Sequence, residues 1–137
     1  MSEYEQTRTM SALPEIVFDE ACDLQRLDAW LPEGLHVRSD DPPAVTVHED
    51  ATGRDERALY RADREQMRME WGTRDDGSYA GWLQVAGLDS GTSDVTVHLS
   101  FFGPGSKPPR DAVESALSES LERLVEQVRL RVDGSPG

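Results

Sequence analysis

The chain has 137 residues, of which 36% are hydrophobic and 30% are charged, and its formal net charge is -13. This apolar content is enough for one domain with a core, and we expect a single domain over residues 1–137. The excess of acidic side chains repels nucleic-acid phosphates and anionic lipid surfaces, which argues against both as partners.

The single cysteine and the absence of long apolar stretches exclude further classes of protein. Cys22 stands alone, which excludes an internal disulfide and a zinc site built from cysteines. The first ten residues are polar, and no window approaches the roughly 20 apolar residues of a membrane-spanning helix. The sequence therefore predicts a cytoplasmic protein that does not insert into membranes.

The first third of the chain predicts one strand followed by two short helices. Residues 4–10 alternate in side-chain size and polarity, which is typical of a strand. Pro14 suits the first turn of a helix because its missing N–H has no partner there. Asp23 is a suitable N-cap for a second helix, which Pro32 and Gly34 end. Its apolar residues recur at helical spacing: Leu24, Leu27 and Trp30.

From Leu35 to Phe102 the hydrophobic period changes to two, which predicts six further strands of an antiparallel meander. A polar stretch from His48 to Glu56 is predicted to be a loop between the second and third of these strands. The predicted strands contain Leu35 and Val37, Val45 and Val47, Ala58–Ala62, Met67–Trp71, Tyr79–Ala86 and Asp94–Phe102.

The remaining residues predict one long amphipathic helix from Pro109 to Gly134, with residues 133–137 as a frayed tail. Its apolar stripe needs a partner surface, and the inner face of the strands is the available one. The stripe consists of Val113, Leu117, Leu121, Leu124, Val128 and Val132. The fold class is therefore α+β: a curved antiparallel sheet of about seven strands around a C-terminal helix.

Three segments resemble one known superfamily. They are "SALPEIVFDEACDLQRLDAW" from Ser11, "MRMEWGTRDDGSYAGWLQV" from Met67 and "TSDVTVHLSFFGPG" from Thr92. Together with the element order, they are similar to the START-like (SRPBCC) helix-grip superfamily. This superfamily includes bacterial polyketide cyclases and dehydrases, lipid-transport proteins and the birch-pollen-allergen relatives.

The resemblance implies a cavity between the sheet and the long helix that holds a small hydrophobic ligand such as a polyketide, an isoprenoid or a lipid. Residues 11–34 would form its mouth. The sequence supports a cavity independently, because seven strands make a wider concave face than one helix can fill. The predicted ligand-binding residues are Trp30, Val47, Tyr60, Met67, Met69, Trp71, Tyr79, Leu83, Val97, Leu99, Leu117, Leu121 and Leu124.

Two other functions remain open at this stage. The first is a polyketide cyclase, aromatase or dehydratase that uses Tyr60, Arg61 or Tyr79. His98 has the parity of the outer face, so no acid–base pair stands out and the catalytic residues stay unassigned. The second is a protein-interaction module with a filled core that binds a partner through an outward Trp82. An outward tryptophan can also form a dimer contact, so a monomer and a homodimer both remain open.

No metal and no cofactor are predicted. His48, Glu49, Asp50, Asp55 and Glu56 would attract a divalent cation only with a fixed ligand pattern, and a solvated charge run explains them more simply. His36 has no companion at ligand spacing.

Overall fold

The computed structural model describes residues 2–31, 35–41, 44–49, 53–73, 79–101 and 110–133. Two α-helices are present in this part of the chain, α1 (Pro14–Ala21) and α2 (Arg110–Asp133), with a 3-10 segment at Leu24–Ala29 and a 3-10 turn at Asp89–Gly91. The strands are β1 (Ser2–Met10), β2 (Leu35–Asp41), β3 (Ala44–Glu49), β4 (Arg54–Asp63), β5 (Arg68–Thr73), β6 (Tyr79–Gly87) and β7 (Ser93–Phe101).

The strands form one sheet in the order β1-β7-β6-β5-β4-β3-β2, and each neighbouring pair is antiparallel. One row of directly paired residues crosses five strands and runs Tyr4, Leu99, Gly81, Trp71 and Tyr60. Directly paired residues point to the same side of a sheet. We call the side of this row the inner face and the opposite side the outer face.

The helices close the sheet into a ring. Helix α2 packs against β1, α1 and the 3-10 segment, and the 3-10 segment also packs against β2 at the far edge of the sheet. A continuous circuit of contacts therefore runs from α2 along the seven strands to the 3-10 segment and back to α2. This confirms the predicted sheet with its C-terminal helix, and it encloses the inner face.

The core lies where α1 and α2 meet the inner face. Leu83 and Val95 are fully buried there, as are Leu121 and Leu124 of α2. Phe18 of α1 packs into the same cluster. The predicted stripe of α2 is buried from Val113 to Val128, whereas Val132 is 43% exposed because it lies near the end of the helix, beyond the apolar surface.

Only the first of the two predicted short helices is an α-helix. The second is the 3-10 segment, in which the Arg26 N–H donates to the Asp23 carbonyl at 2.9 Å and the Trp30 N–H donates to the Leu27 carbonyl at 3.1 Å. A 3-10 helix completes a turn in three residues, so it fits two turns into a segment too short for a stable α-helix.

Two strand boundaries differ from the prediction. The expected polar loop from His48 to Glu56 is shorter, because β3 runs to Glu49 and β4 begins at Arg54. His48 pairs directly with Asp55 on the outer face, where polar side chains are compatible with a strand. Met67 lies in the turn before β5 with a left-handed φ of 52°, rather than in the strand.

Some expectations fall outside the described residues: the helix-ending Pro32 and Gly34, the tips of several turns, Pro109 at the start of α2, and residues 134–137 of the tail. Asp133, expected in the tail, belongs to α2. Neither described helix is long and apolar enough to cross a lipid bilayer.

Candidate ligand-binding site

One part of the inner face is fully buried, and the other part is only half-buried. Near α1 its side chains are covered, and Val85 and Val95 are 3% and 0% exposed. Towards the other end of the sheet, Trp71 of β5 and Leu99 and Phe101 of β7 pack against the core but remain partly exposed. The sheet thus carries large apolar side chains beyond the area that the helices cover.

Aromatic rings form this half-buried wall. The ring centroids of Tyr79 and Phe101 are 4.9 Å apart, and Tyr4 meets Phe101 edge to face at 5.9 Å. Such contacts hold the rings in fixed orientations while leaving one side of each available for packing. The wall presents a rigid apolar surface to the interior of the ring.

The orientation of Trp71 depends on a glycine in the next strand. A Cβ atom at Gly81 would lie 2.6 Å from Cε2 and Cζ2 of Trp71, so the indole lies flat on the Gly81 backbone. Trp71 Nε1 donates a hydrogen bond to Tyr79 Oη at 3.0 Å. The glycine makes room for the indole, and the hydrogen bond fixes its rotation.

Three neutral groups with raised pKa values belong to this interior. Burial raises the pKa of Tyr60 and of Tyr79, and it raises the pKa of the Cys22 thiol to about 11. Tyr60 Oη donates to the Cys22 carbonyl at 3.0 Å, which ties the sheet to the end of α1. At neutral pH these groups act as hydrogen-bonding groups rather than as charged ones.

The predicted ligand-binding residues lie on the inner face of the sheet and on α2, except for Met67 in the turn before β5 and Trp30 directly after the 3-10 segment. Whether they contact a ligand remains a prediction. Buried in the core cluster are Trp30, Met69, Leu83, Val97, Leu117, Leu121 and Leu124. Half-buried are Val47, Tyr60, Met67, Trp71, Tyr79 and Leu99.

Arg61 does not reach the interior. It is exposed on the outer face, whereas its neighbour Tyr60 lies on the inner face. In the register of β4 and β5, Arg61 lies directly opposite Glu70. The prediction that Arg61 lines the cavity is therefore wrong. Alternate residues of a strand point to opposite faces, and Tyr60 points to the inner face.

His98 and Trp82 lie on the outer face, as predicted from parity. Their rings stack with centroids 5.2 Å apart, and the Arg68 guanidinium lies 4.5 Å from the Trp82 ring centroid. The His98 imidazole also approaches the carboxylates of Glu3 and Glu5, at 3.3 and 3.1 Å. This polar cluster has no path to the interior through the sheet.

A shallow outer-face pocket of about 250 Å³ was missed from the sequence. The His36 and His48 rings face each other across β2 and β3 with centroids 6.2 Å apart, and His48 Nδ1 is 2.7 Å from Asp55 Oδ1. Their proximity follows from strand register, which spacing along the chain does not reveal. Within the described ranges, no group of three or more His, Cys, Asp or Glu side chains could hold a metal ion. The pocket is lined by His36, Val37, Arg38, Thr46, His48 and Asp55.

Solved structures share this fold at low sequence identity. The ZhuI aromatase/cyclase from Streptomyces sp. R1128 has a TM-score of 0.77 at 17% identity, over 99% of this chain and 98% of that one. XoxI from Bacillus cereus has a TM-score of 0.77 at 16% identity over the full length of both chains. The di-domain aromatase/cyclase BexL from the BE-7585A biosynthetic pathway has a TM-score of 0.75 at 15% identity; the match covers 97% of this chain and 48% of BexL, about half of that protein's length.

No curated protein matches the chain. A family model does: the one described as polyketide cyclase/dehydrase and lipid transport matches residues 1–129. The chain therefore belongs to the polyketide cyclase/dehydrase and lipid transport family.

Proposed function

We propose that the chain binds a small hydrophobic molecule, of polyketide, isoprenoid or lipid type, between the inner face and α2. The observation that supports this proposal is the half-buried apolar wall of Trp71, Tyr79, Leu99 and Phe101 inside the ring of elements. A contiguous group of partly exposed large apolar side chains on a concave face is typical of a binding site, whereas the side chains at the α1 end of the same sheet are covered. An apolar ligand in contact with this wall would cover the part of these side chains that the helices leave exposed.

The predicted mouth is residues 11–34; because the inner face is covered near α1, we propose that the opening lies at the 3-10 segment. The 3-10 segment joins β2 to α2, so it is the part of the ring whose displacement would open the interior. Tyr60 fastens the adjacent Cys22 carbonyl to the sheet and holds one side of the mouth in place.

Native mass spectrometry of freshly purified protein tests this function, together with binding of the neutral fluorescent probe N-phenyl-1-naphthylamine. Leu99→Trp adds a large ring to the inner face and should abolish probe binding. Leu59→Trp makes the same change on the outer face, where Leu59 is 44% exposed, and should leave binding unchanged. An apolar molecule should co-purify with the wild-type protein and be absent from the Leu99→Trp variant.

Two outcomes would contradict the proposal. Wild-type protein that neither carries a ligand nor binds the probe has a filled interior, which supports an interaction module using Trp82 on the outer face instead. Equal probe binding by both tryptophan variants would place the apolar site elsewhere.

A second candidate function is a polyketide cyclase or aromatase. The two inner-face tyrosines support it, because raised pKa values keep their phenols protonated and able to hydrogen-bond a substrate carbonyl. Both phenol oxygens already have partners in the Cys22 carbonyl and the Trp71 indole, which favours simple binding. If the chain cyclises a poly-β-ketone, Tyr79→Phe should slow turnover and Arg61→Ala should not. No turnover by the wild-type protein would contradict this candidate.

A further inference from the structure

Trp30 occupies the point where the ring of elements closes. It follows the 3-10 segment, between β2 and α2. The Ser120 hydroxyl donates to the Trp30 carbonyl at 2.7 Å, and Arg123 Nη1 donates to the Leu31 carbonyl at 2.8 Å. These two bonds from α2 hold the backbone that follows the Trp30 Cα atom, and the bond from the Trp30 N–H to the Leu27 carbonyl holds the backbone before it. The backbone position of Trp30 therefore does not depend on a ligand.

The Trp30 side chain has a buried hydrogen-bond donor for which the described residues supply no acceptor. The residue is 4% exposed and belongs to the interior cluster, against which Val37, Tyr60 and Trp71 also pack. Its Nε1 atom is buried, and among the residues that the structure describes it has no hydrogen-bond partner. Trp71 offers the contrast, because its Nε1 donates to Tyr79 Oη.

A buried donor without a partner is rare and costly, so native structures normally supply an oxygen for it. One neutral N–H cannot offset the cost of burying an anion, and the net charge of -13 also repels an anionic ligand, so a neutral acceptor is favoured. A carbonyl, ether or hydroxyl oxygen on an otherwise apolar molecule meets both conditions.

We infer that Trp30 Nε1 is a specificity-determining donor that selects oxygenated hydrophobic ligands over pure hydrocarbons of the same shape. This inference rests on the proposed ligand-binding function. A ketone should gain about tenfold in relative affinity from the hydrogen bond, because a hydrocarbon leaves the donor buried and unpaired.

The test compares two probes of matched shape, 2-acetylnaphthalene and 2-isopropenylnaphthalene, by displacement of N-phenyl-1-naphthylamine. In the wild-type protein, the ratio of ketone to hydrocarbon affinity should be about tenfold higher than in Trp30→Phe. Trp82→Phe, on the outer face, is the matched control and should keep the wild-type ratio.

Nitrogen-15 NMR of the three indole N–H groups supplies a readout that does not depend on the folding of a variant. The ketone should move the Trp30 resonance downfield, the hydrocarbon should not, and Trp82 should stay in place with both. If both probes bind with equal affinity and the Trp30 resonance does not respond to the ketone, the inference is wrong and the binding function stands. A Trp30 N–H that exchanges with bound water in the presence of the ketone also overturns it. If neither probe binds, the proposed function and this inference both fail.

Discussion

Replacing Gly81 with alanine tests how the half-buried wall is built. The new Cβ would lie 2.6 to 2.7 Å from three atoms of the Trp71 indole, so the ring has to leave its place. Overpacking of this kind costs about 1–3 kcal/mol, and the lower chain entropy of alanine returns about 0.5–1 kcal/mol. We expect a net loss of up to about 2.5 kcal/mol in the free energy of unfolding. Probe binding should weaken as well, because the displaced indole moves into the interior.

The assay is a double-mutant cycle in urea, followed by far-ultraviolet circular dichroism so that loss of a tryptophan does not affect the signal. In a Trp71→Leu background the ring is gone, and Gly81→Ala should cost nothing or stabilise slightly. The coupling energy should therefore exceed about 1 kcal/mol, well above the roughly 0.3–0.5 kcal/mol scatter of independent sites. An equal cost in both backgrounds would show that Trp71 does not rest on Gly81.

Three further predictions follow from buried polar groups. Glu20 is fully buried with Arg26 at 2.8 Å and Arg131 at 3.4 Å; Glu20→Ala should lower the free energy of unfolding by about 1–2 kcal/mol in urea, because two charge-assisted hydrogen bonds are lost while the two half-exposed guanidinium groups stay solvated. Glu15→Ala, at an exposed site on the same helix, should change it by less than about 0.5 kcal/mol, and equal losses would contradict the role of the buried pair. The pKa values of Tyr60 and Tyr79 are raised from 10.0 by burial, so their contribution to stability is intact below pH 10 and is lost as the pH rises further. Urea unfolding at pH 8 and pH 11 should show this decline, and the Tyr60→Phe/Tyr79→Phe variant should show less of it; an unchanged decline would assign it to other groups. The Cys22 thiol, with a pKa of about 11, should react with a disulfide reagent at pH 8 far more slowly in the folded protein than in urea. Equal rates would mean that this thiol is not protected.

The sequence predicts the sheet well because one side of most strands is apolar. Parity alone places Leu83 and Val97 on the inner face and His98 on the outer face, and the structure agrees. The same reasoning fails where β3 ends and β4 begins. Polar outer-face residues such as His48 and Asp55 belong to paired strands there, but their sequence is typical of a loop.

The site is predicted less completely than the fold. Periodicity identifies Trp71 and Leu99 as inward residues, but it cannot show that they are half-buried while Leu83 is covered, because coverage depends on where the helices end. Local pattern also cannot reveal that the buried donor of Trp30 has no partner in the described part of the chain, or that His36 faces His48. Both facts depend on contacts between segments that are distant in sequence or on strand register.

The pairing of β1 with β7 has a consequence for how the chain folds. Ser2 lies directly opposite Phe101, so the two strands are separated by most of the sequence. Contacts of such high sequence separation close late and slow folding, since a long loop must be ordered before they form. During synthesis, β1 cannot find its neighbour in the sheet until β7 has left the ribosome. The stretch from β2 to β7 pairs only with adjacent strands, so it can assemble first as a meander that later captures β1.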